Sequence, residues 1–315
     1  MWQTRWATPA DEPALLALFE RAFGHSMDAA TWRWKYRLAE SPGVVCLDDD
    51  AIIAFNGGMP RRGVVKGEPC SLVQMGDVMV DPAYRGILTR KGPFYQVVHD
   101  FFKEQVGQDL AHRFAFGFPH ARHARLGQAL KLYCSTDRIL EAEWAALPTR
   151  HWRATACEVS AEHAATVDAL WARMAQGLGD KAVGVRDWAW LSHRYIEAPA
   201  RGYQVWLVRE RLTGRALGVC VLRAHDSDTV ELLDVVAGQA QLTETVRCAQ
   251  HLTARMGAKR LIGWLTPAVA ERLNKTRPAL QETDVVVPGS QVNGLALGMD
   301  VEKRWWLTGG DTDFR

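Results

Sequence analysis

Apolar positions along this chain alternate in two periods, and the switches between them mark out the elements. Residues 2–7 read as a strand, after which Thr8-Pro9-Ala10-Asp11 caps a helix carrying Leu15, Leu16, Leu18, Phe19 and Phe23. A second helix is predicted over 30–38, stopped by Glu40-Ser41-Pro42-Gly43. Strands follow at 44–47 and 51–59, joined by the acidic turn Asp48-Asp49-Asp50, and residues 60–70 read as a Gly/Pro-punctuated connection. The run Val73 to Val80 alternates like a strand and is ended by Asp81-Pro82, since proline donates no ladder hydrogen bond. A loop rich in glycine and cation comes next, Tyr84-Arg85-Gly86-Ile87-Leu88-Thr89-Arg90-Lys91-Gly92. Pro93 opens a helix with Phe94, Val97, Val98, Phe101, Phe102 and Val106 at helical spacing, stopped by Gly107. A strand over 113–118 ends at Pro119, and a helix runs from about His120 to Leu132.

From 141 to 153 the chain reads as a linker containing Pro148, and then the pattern starts again. The segment Thr31-Trp32-Arg33-Trp34-Lys35-Tyr36-Arg37 is echoed by Asp187-Trp188-Ala189-Trp190-Leu191-Ser192-His193-Arg194-Tyr195. Each copy leads into a proline-containing break and a strand pair, the second at 203–209 and 218–223 around Leu212-Thr213-Gly214. Residues 229–236 stand where 73–80 stood, followed by a helix over 242–256 ended by Gly257 and a strand over 260–265. Self-similarity on this scale indicates a duplicated domain rather than a short-repeat array. The chain end, Trp305-Trp306-Leu307-Thr308-Gly309-Gly310-Asp311-Thr312-Asp313-Phe314-Arg315, reads as a strand and a solvated acidic tail.

Composition narrows the class. The 315 residues suffice for two domains, and 48% hydrophobic with 23% charged residues describes an ordinary globular protein. A formal net charge of +2 gives no support for nucleic acid as a partner. Six scattered cysteines without a Cys-x-x-Cys pair fit a reduced, cytoplasmic protein. The first residues lack a signal peptide's apolar core and no run has the length of a membrane span, so no membrane role is expected.

Candidate chemistry gathers at residues 73–94. A strand, a basic loop and a helix N-terminus bring free N–H groups, a positive dipole end and mobile cations to one place, which suits phosphate. The residues Val78-x-Val80-x-Pro82-x-x-Arg85-Gly86 resemble the acyl-CoA loop of the GNAT superfamily of N-acetyltransferases. The resemblance extends over most of the chain and implies an α/β (α+β, mixed-sheet) fold of two tandem GNAT-like acyl-CoA N-acyltransferase domains, 1–145 and 146–315. It implies acetyl-CoA or another acyl-CoA as co-substrate, a small-molecule amine as acceptor, and no metal. By the same resemblance the strand end Val78, Met79 and Val80 pairs with the pantetheine arm. Arg85, Gly86, Leu88, Thr89, Arg90, Lys91 and Gly92 then surround the pyrophosphate. Counted from Arg85, the family's small loop positions hold Leu88 and Arg90 here; alternatively the loop is two residues shorter and Ile87-Leu88-Thr89 begins the helix. Either way the family's glycines are absent, and Arg90 and Lys91 are expected to supply as side chains what bare N–H groups supply elsewhere. In the second copy the turn Gly238-Gln239-Ala240-Gln241 has no cation, and that domain is expected not to bind CoA but to be structural or to shape the substrate cleft.

Two residues are candidates for catalysis. Asp77 lies in the CoA strand, where a carboxylate can hold an ammonium or relay its proton; the alternative is a hydrogen bond to local backbone. His120, one turn before His123, is a candidate base or CoA contact, with helix capping as the alternative; the pair lacks a third ligand for zinc. Many GNAT enzymes carry an acid tyrosine where Gly127 stands here, and Tyr133 lies nearly two turns further on. Acyl-CoA-dependent N-acetyl transfer is therefore the first reading. A catalytically degenerate GNAT-like binding or assembly protein is the second, and a Fem-type transferase using aminoacyl-tRNA the third, disfavoured by the near-neutral charge.

Overall fold

The computed structural model describes residues 2–148, 153–199, 202–312 and 314. Residues 149–152 of the expected linker, and Asp313 and Arg315 of the expected tail, lie outside the described residues. The first half runs β1 (Gln3–Trp6), α1 (Glu12–Phe23), α2 (Ala29–Tyr36), β2 (Gly43–Asp48), β3 (Ala51–Val65), β4 (Glu68–Val80), α3 (Pro93–Gln105), β5 (Phe114–Phe116), α4 (Ala121–Ala129) and β6 (Tyr133–Ala145). The second runs β7 (Ala154–Glu158), α5 (Ala164–Gly177), β8 (Ala182–Gly184), α6 (Trp188–Leu191), β9 (Tyr203–Glu210), β10 (Ala216–Ala224), β11 (Thr229–Ala237), α7 (Gln239–Arg255) and β12 (Arg260–Leu265). It ends with α8 (Pro267–Leu273), β13 (Ala279–Ser290), α9 (Leu295–Met299) and β14 (Trp305–Trp306).

Two expected loops are strand. Residues 60–70 form the tip of the long β3–β4 hairpin, because Lys66 and Gly67 both adopt positive φ (53° and 83°) and close a tight turn. Residues 141–145 belong to β6, where Leu140, Ala142 and Trp144 are buried in alternation, a period of two that Glu141 and Glu143 between them disguise.

The chain folds as two compact units that interleave rather than follow one another: 1–62, 70–137 and 284–302 in the first, 63–69, 138–283 and 303–315 in the second. Four of the five crossings run through long strands, since β3, β4, β6 and β13 each begin in one unit and end in the other; the fifth falls between α9 and β14. In unit 1 the sheet order is β1-β2-β3-β4-β5, and β4 and β5 are parallel over Leu72–Gln74 and Phe114–Phe116. One face carries α3 through Val97, Val98, Phe101 and Phe102; the other carries α1 and α2 through Leu15, Leu18, Trp32 and Tyr36. The latter part of β13 lies beside the start of β6, with the Thr136 hydroxyl donating to the Val287 carbonyl at 2.7 Å.

Unit 2 runs β7-β9-β10-β11-β12-β6, with β11 and β12 parallel over Thr229–Glu231 and Arg260–Ile262 only. Beyond that, the chain end fills the gap between them. Thr308 bridges Leu265, the Thr266 N–H donates to the Leu307 carbonyl (3.1 Å), and the Thr308 hydroxyl donates to Asp234 (3.2 Å). Residues 305–312 of the tail are thus buried and not solvated, with Asp311 and Thr312 each 1% exposed, whereas Phe314 is 52% exposed. Charge pairing explains it: Arg186, itself buried, meets Asp234 at 2.9 Å and Asp311 at 2.5 Å, while Arg194 donates to the carbonyls of Gly310 and Thr312. Among the described residues no helix is long and apolar enough to cross a membrane.

Candidate active site

The site begins with a defect in β4. Val73 and Met75 pack toward α3, and so do Val78 and Val80, whereas Met79 is buried on the α1–α2 face. The parity changes because the chain is bulged at Asp77, a non-glycine residue at φ 49°. Such a conformation costs on the order of 1–3 kcal/mol and persists only where neighbours enforce it. Since β5 pairs β4 only as far as Gln74, the edge of β4 from the bulge to Val80 borders an opening. Val78, Met79 and Val80 thus lie along this edge, and Met79 can contribute only backbone because its side chain is core.

Asp77 does not face that opening unaccompanied. Its carboxylate accepts from Lys35 Nζ at 2.6 Å and from the Tyr36 hydroxyl at 2.8 Å, and both charged side chains are buried. The carboxylate expected to handle an ammonium already holds one belonging to the protein. Lys35 and Tyr36 were missed because they reach Asp77 only across the fold, 42 and 41 residues away along the chain.

The loop after β4 is built from its own backbone. Asp81 accepts from the Ala83 N–H and from Arg21 Nε at 2.7 Å. Arg85 donates to the carbonyls of Val80 (3.0 Å) and Ala22, so its guanidinium secures the loop to the end of α1. Gly86, Leu88 and Thr89 are exposed, and Thr89 accepts from the backbone N–H groups of Lys91 and Gly92. Gly92 is the close-approach glycine: a Cβ there would lie 2.0 Å from the Ile87 carbonyl oxygen, while one on Gly86 would meet nothing within 4 Å. Arg90 and Lys91 are both exposed beside the start of α3, with the Arg90 guanidinium 6.0 Å from the centre of the Tyr95 ring. Pro93 has no N–H to offer, so Phe94 and Tyr95 provide the leading donors of this helix end.

His120 is exposed and caps α4, its Nδ1 accepting the His123 N–H at 3.4 Å, while its backbone bridges Val285. His123 is the more enclosed ring, at 5.1 Å from Phe94 and with Nε2 at 3.2 Å from the Tyr133 hydroxyl. Burial, reinforced by His120, pushes the His123 imidazole down to about 4, and burial pushes the Tyr133 phenol up. A Cβ on Gly127 would lie 2.0 Å from Tyr133 Cδ2, so the tyrosine ring occupies the room that a side chain at 127 would need. Lys131, at φ 60°, reverses the chain after α4 and brings Tyr133 back over Gly127, a return that linear counting along a helix does not foresee. No group of three or more metal-ligating side chains occurs among the described residues.

In unit 2 the start of α7 does have a neighbouring cation, although its own turn has none: Arg272 Nη1 donates to Gln239 Oε1 at 2.8 Å. The turn is closed on itself, the Gln239 amide also donating to the Gly177 carbonyl.

A parallel pair that splays beside a bulged strand, with a helix N-terminus beyond it, is the GNAT architecture. Residues 3–124 match the family model described as an acetyltransferase (GNAT) domain. Solved structures share the fold over nearly the whole chain at low sequence identity. A GCN5-related N-acetyltransferase from Anabaena variabilis ATCC 29413 is 13% identical with a TM-score of 0.69, covering 93% of this chain and 73% of its own. One from Kribbella flavida is 13% identical with a TM-score of 0.67, covering 91% and 70%. Saccharomyces cerevisiae N-myristoyltransferase, solved with bound myristoyl-CoA and inhibitors, is 8% identical with a TM-score of 0.59, covering 92% and 79%. No curated protein sequence matches the chain.

Proposed function

We propose that the chain is an acyl-CoA-dependent N-acyltransferase, acetyl-CoA being the simplest donor, which acylates the amine of a small molecule. The observation that carries this reading is the opening between β4 and β5, flanked by the bulge at Asp77 and leading to Arg90, Lys91 and the start of α3. The phosphates of the donor lie against the Phe94 and Tyr95 N–H groups and the two cations, and its pantetheine arm runs along the free edge of Val78–Val80. The acceptor nitrogen attacks the thioester carbonyl, the C–N bond forms, the nitrogen gives up a proton to water, the C–S bond breaks, and the thiolate leaves and takes up a proton. Tyr133 is the group we assign to supply that proton. Burial keeps its phenol protonated, and His123 is placed on its oxygen to pass a proton in turn. Asp77 serves by holding Lys35 and Tyr36, and so the bulge, in place.

The second unit reads as a duplicate without a donor site. Its strand order repeats that of the first, and the spacing from the capping Asp28 to Tyr36 recurs from Asp187 to Tyr195. Tyr36 donates to Asp77 in β4, and Tyr195 donates to Asp234 in β11 at 3.1 Å. In the gap between β11 and β12 lie the chain's own Leu307 and Thr308, which supports the reading of a single acyl-CoA site per chain. The reading is tested by following CoA thiol release from acetyl-CoA with a panel of primary amines. Amine-dependent release supports it, and binding of acetyl-CoA without release under any amine favours the degenerate alternative.

A further inference from the structure

We propose that Gln74 selects the acceptor, its buried carboxamide donating to an oxygen that the amine substrate carries close to its nitrogen. The inference rests on the N-acyltransferase reading and narrows its substrate class to amino amides, amino alcohols and their like. Gln74 is 4% exposed, and its Nε2 has no hydrogen-bond partner among the described residues. A buried donor left unmatched is rare in native proteins, because the group has given up water without replacement.

The position of this donor turns an oddity into a site. Gln74 is the last β4 residue that pairs with β5, so it stands at the apex of the opening. It shares a face with Leu72, opposite Val73 and Met75, which pack toward α3. The donor's phosphates and α3 take up one face, which leaves the face of Gln74 for the acceptor. Other irregularities meet here: Asp77 is held at positive φ three residues on, and Gly57 is stripped of a side chain where a Cβ would strike Tyr36 Oη at 2.1 Å. Local rules broken together at one place mark a site whose geometry is held for function. Asn56 differs in place: its amide atoms are also without a partner among the described residues, but it is fully buried in β3, a strand that does not border β5.

A site built to hydrogen-bond a substrate oxygen discriminates strongly against the analogue that lacks it. The test compares ethanolamine and glycinamide with propylamine as acceptors of acetyl from acetyl-CoA, in wild type and Gln74→Met. The wild type is expected to favour the oxygen-bearing amines at least tenfold in kcat/KM. Gln74→Met, similar in length and free of polar atoms, is expected to erase that preference through KM, with acetyl-CoA affinity by calorimetry and Tm undiminished. Should Gln74→Met not fold, Gln74→Glu, which offers oxygen in place of the N–H, is expected to lose the same preference. A preference that survives both substitutions, or a wild type that turns over the amines without preference or accepts none of them, overturns the assignment. Failure of the wild type to bind acetyl-CoA would instead strike at the N-acyltransferase reading itself.

Discussion

Asp77 shows how far one residue's chemistry depends on its neighbours. With Lys35 at 2.6 Å and both side chains buried, removing one charge strands the other in a low-dielectric interior. Asp77→Asn is therefore expected to lose about 3–5 kcal/mol of stability, measured by urea unfolding. Lys35→Met with Asp77→Leu should recover most of it, because neither charge is then left alone. If Asp77→Asn instead keeps its stability and loses activity, the carboxylate works on substrate after all. His123 makes a prediction in pH. Its folded value near 4 lies below the ordinary 6.5, so the unfolded chain binds the extra proton between them. The contribution is fully present above about 6.5 and is lost as pH falls toward 4, with a slope of at most about 1.4 kcal/mol per pH unit. His123→Gln, which keeps a partner for Tyr133 without titrating, should flatten Tm against pH in that window. An unchanged profile would mean that the ring is not held neutral.

At the scale of elements, the loop before α3 is the part most open to test. Gly92→Ala forces a methyl against the Ile87 carbonyl, while Gly86→Ala points into open space at ordinary φ. The first should weaken acetyl-CoA binding at least tenfold by calorimetry and the second hardly at all; equal effects would remove the loop's shape from the argument. Much of this level was legible in the sequence. The strand ending at Val80, the Pro93 opening of α3 and the strand Arg260–Leu265 follow from periodicity and punctuation, which are local signals. The β3–β4 hairpin escaped because Lys-Gly is a weaker turn signal than Asn-Gly, and β6 because its charged face obscured the alternation. The candidate site was legible only where backbone builds it. The loop and the helix start could be read, but Lys35 on Asp77 and Tyr133 over Gly127 are meetings across the fold, and no spacing along the chain encodes them.

For the whole molecule, the proposed duplication rests on the strand order and the tyrosine–aspartate pair that the two units share. Both place a tyrosine hydroxyl on an aspartate in the strand beside the splay, but in unit 2 Leu307 and Thr308 lie against the end of β12. Two buried arginines fix the last turn of the chain in place there, and Asp311 answers one of them. Cations close to the helix start differ in kind as well: Arg90 and Lys91 project from the loop itself, whereas Arg272 reaches α7 through Gln239. The measurement that bears most directly on this account is calorimetric titration of acetyl-CoA into the wild type, Arg90→Ala/Lys91→Ala and Gln239→Ala/Gln241→Ala. Charged hydrogen bonds of about 1.5–3 kcal/mol each place the expected loss for the first pair at roughly a hundredfold, or tenfold after solvent screening. The account predicts one site per chain, weakened by that factor in Arg90→Ala/Lys91→Ala and unaltered in Gln239→Ala/Gln241→Ala. Two sites per chain, or an Arg90→Ala/Lys91→Ala variant that binds as the wild type does, would contradict it.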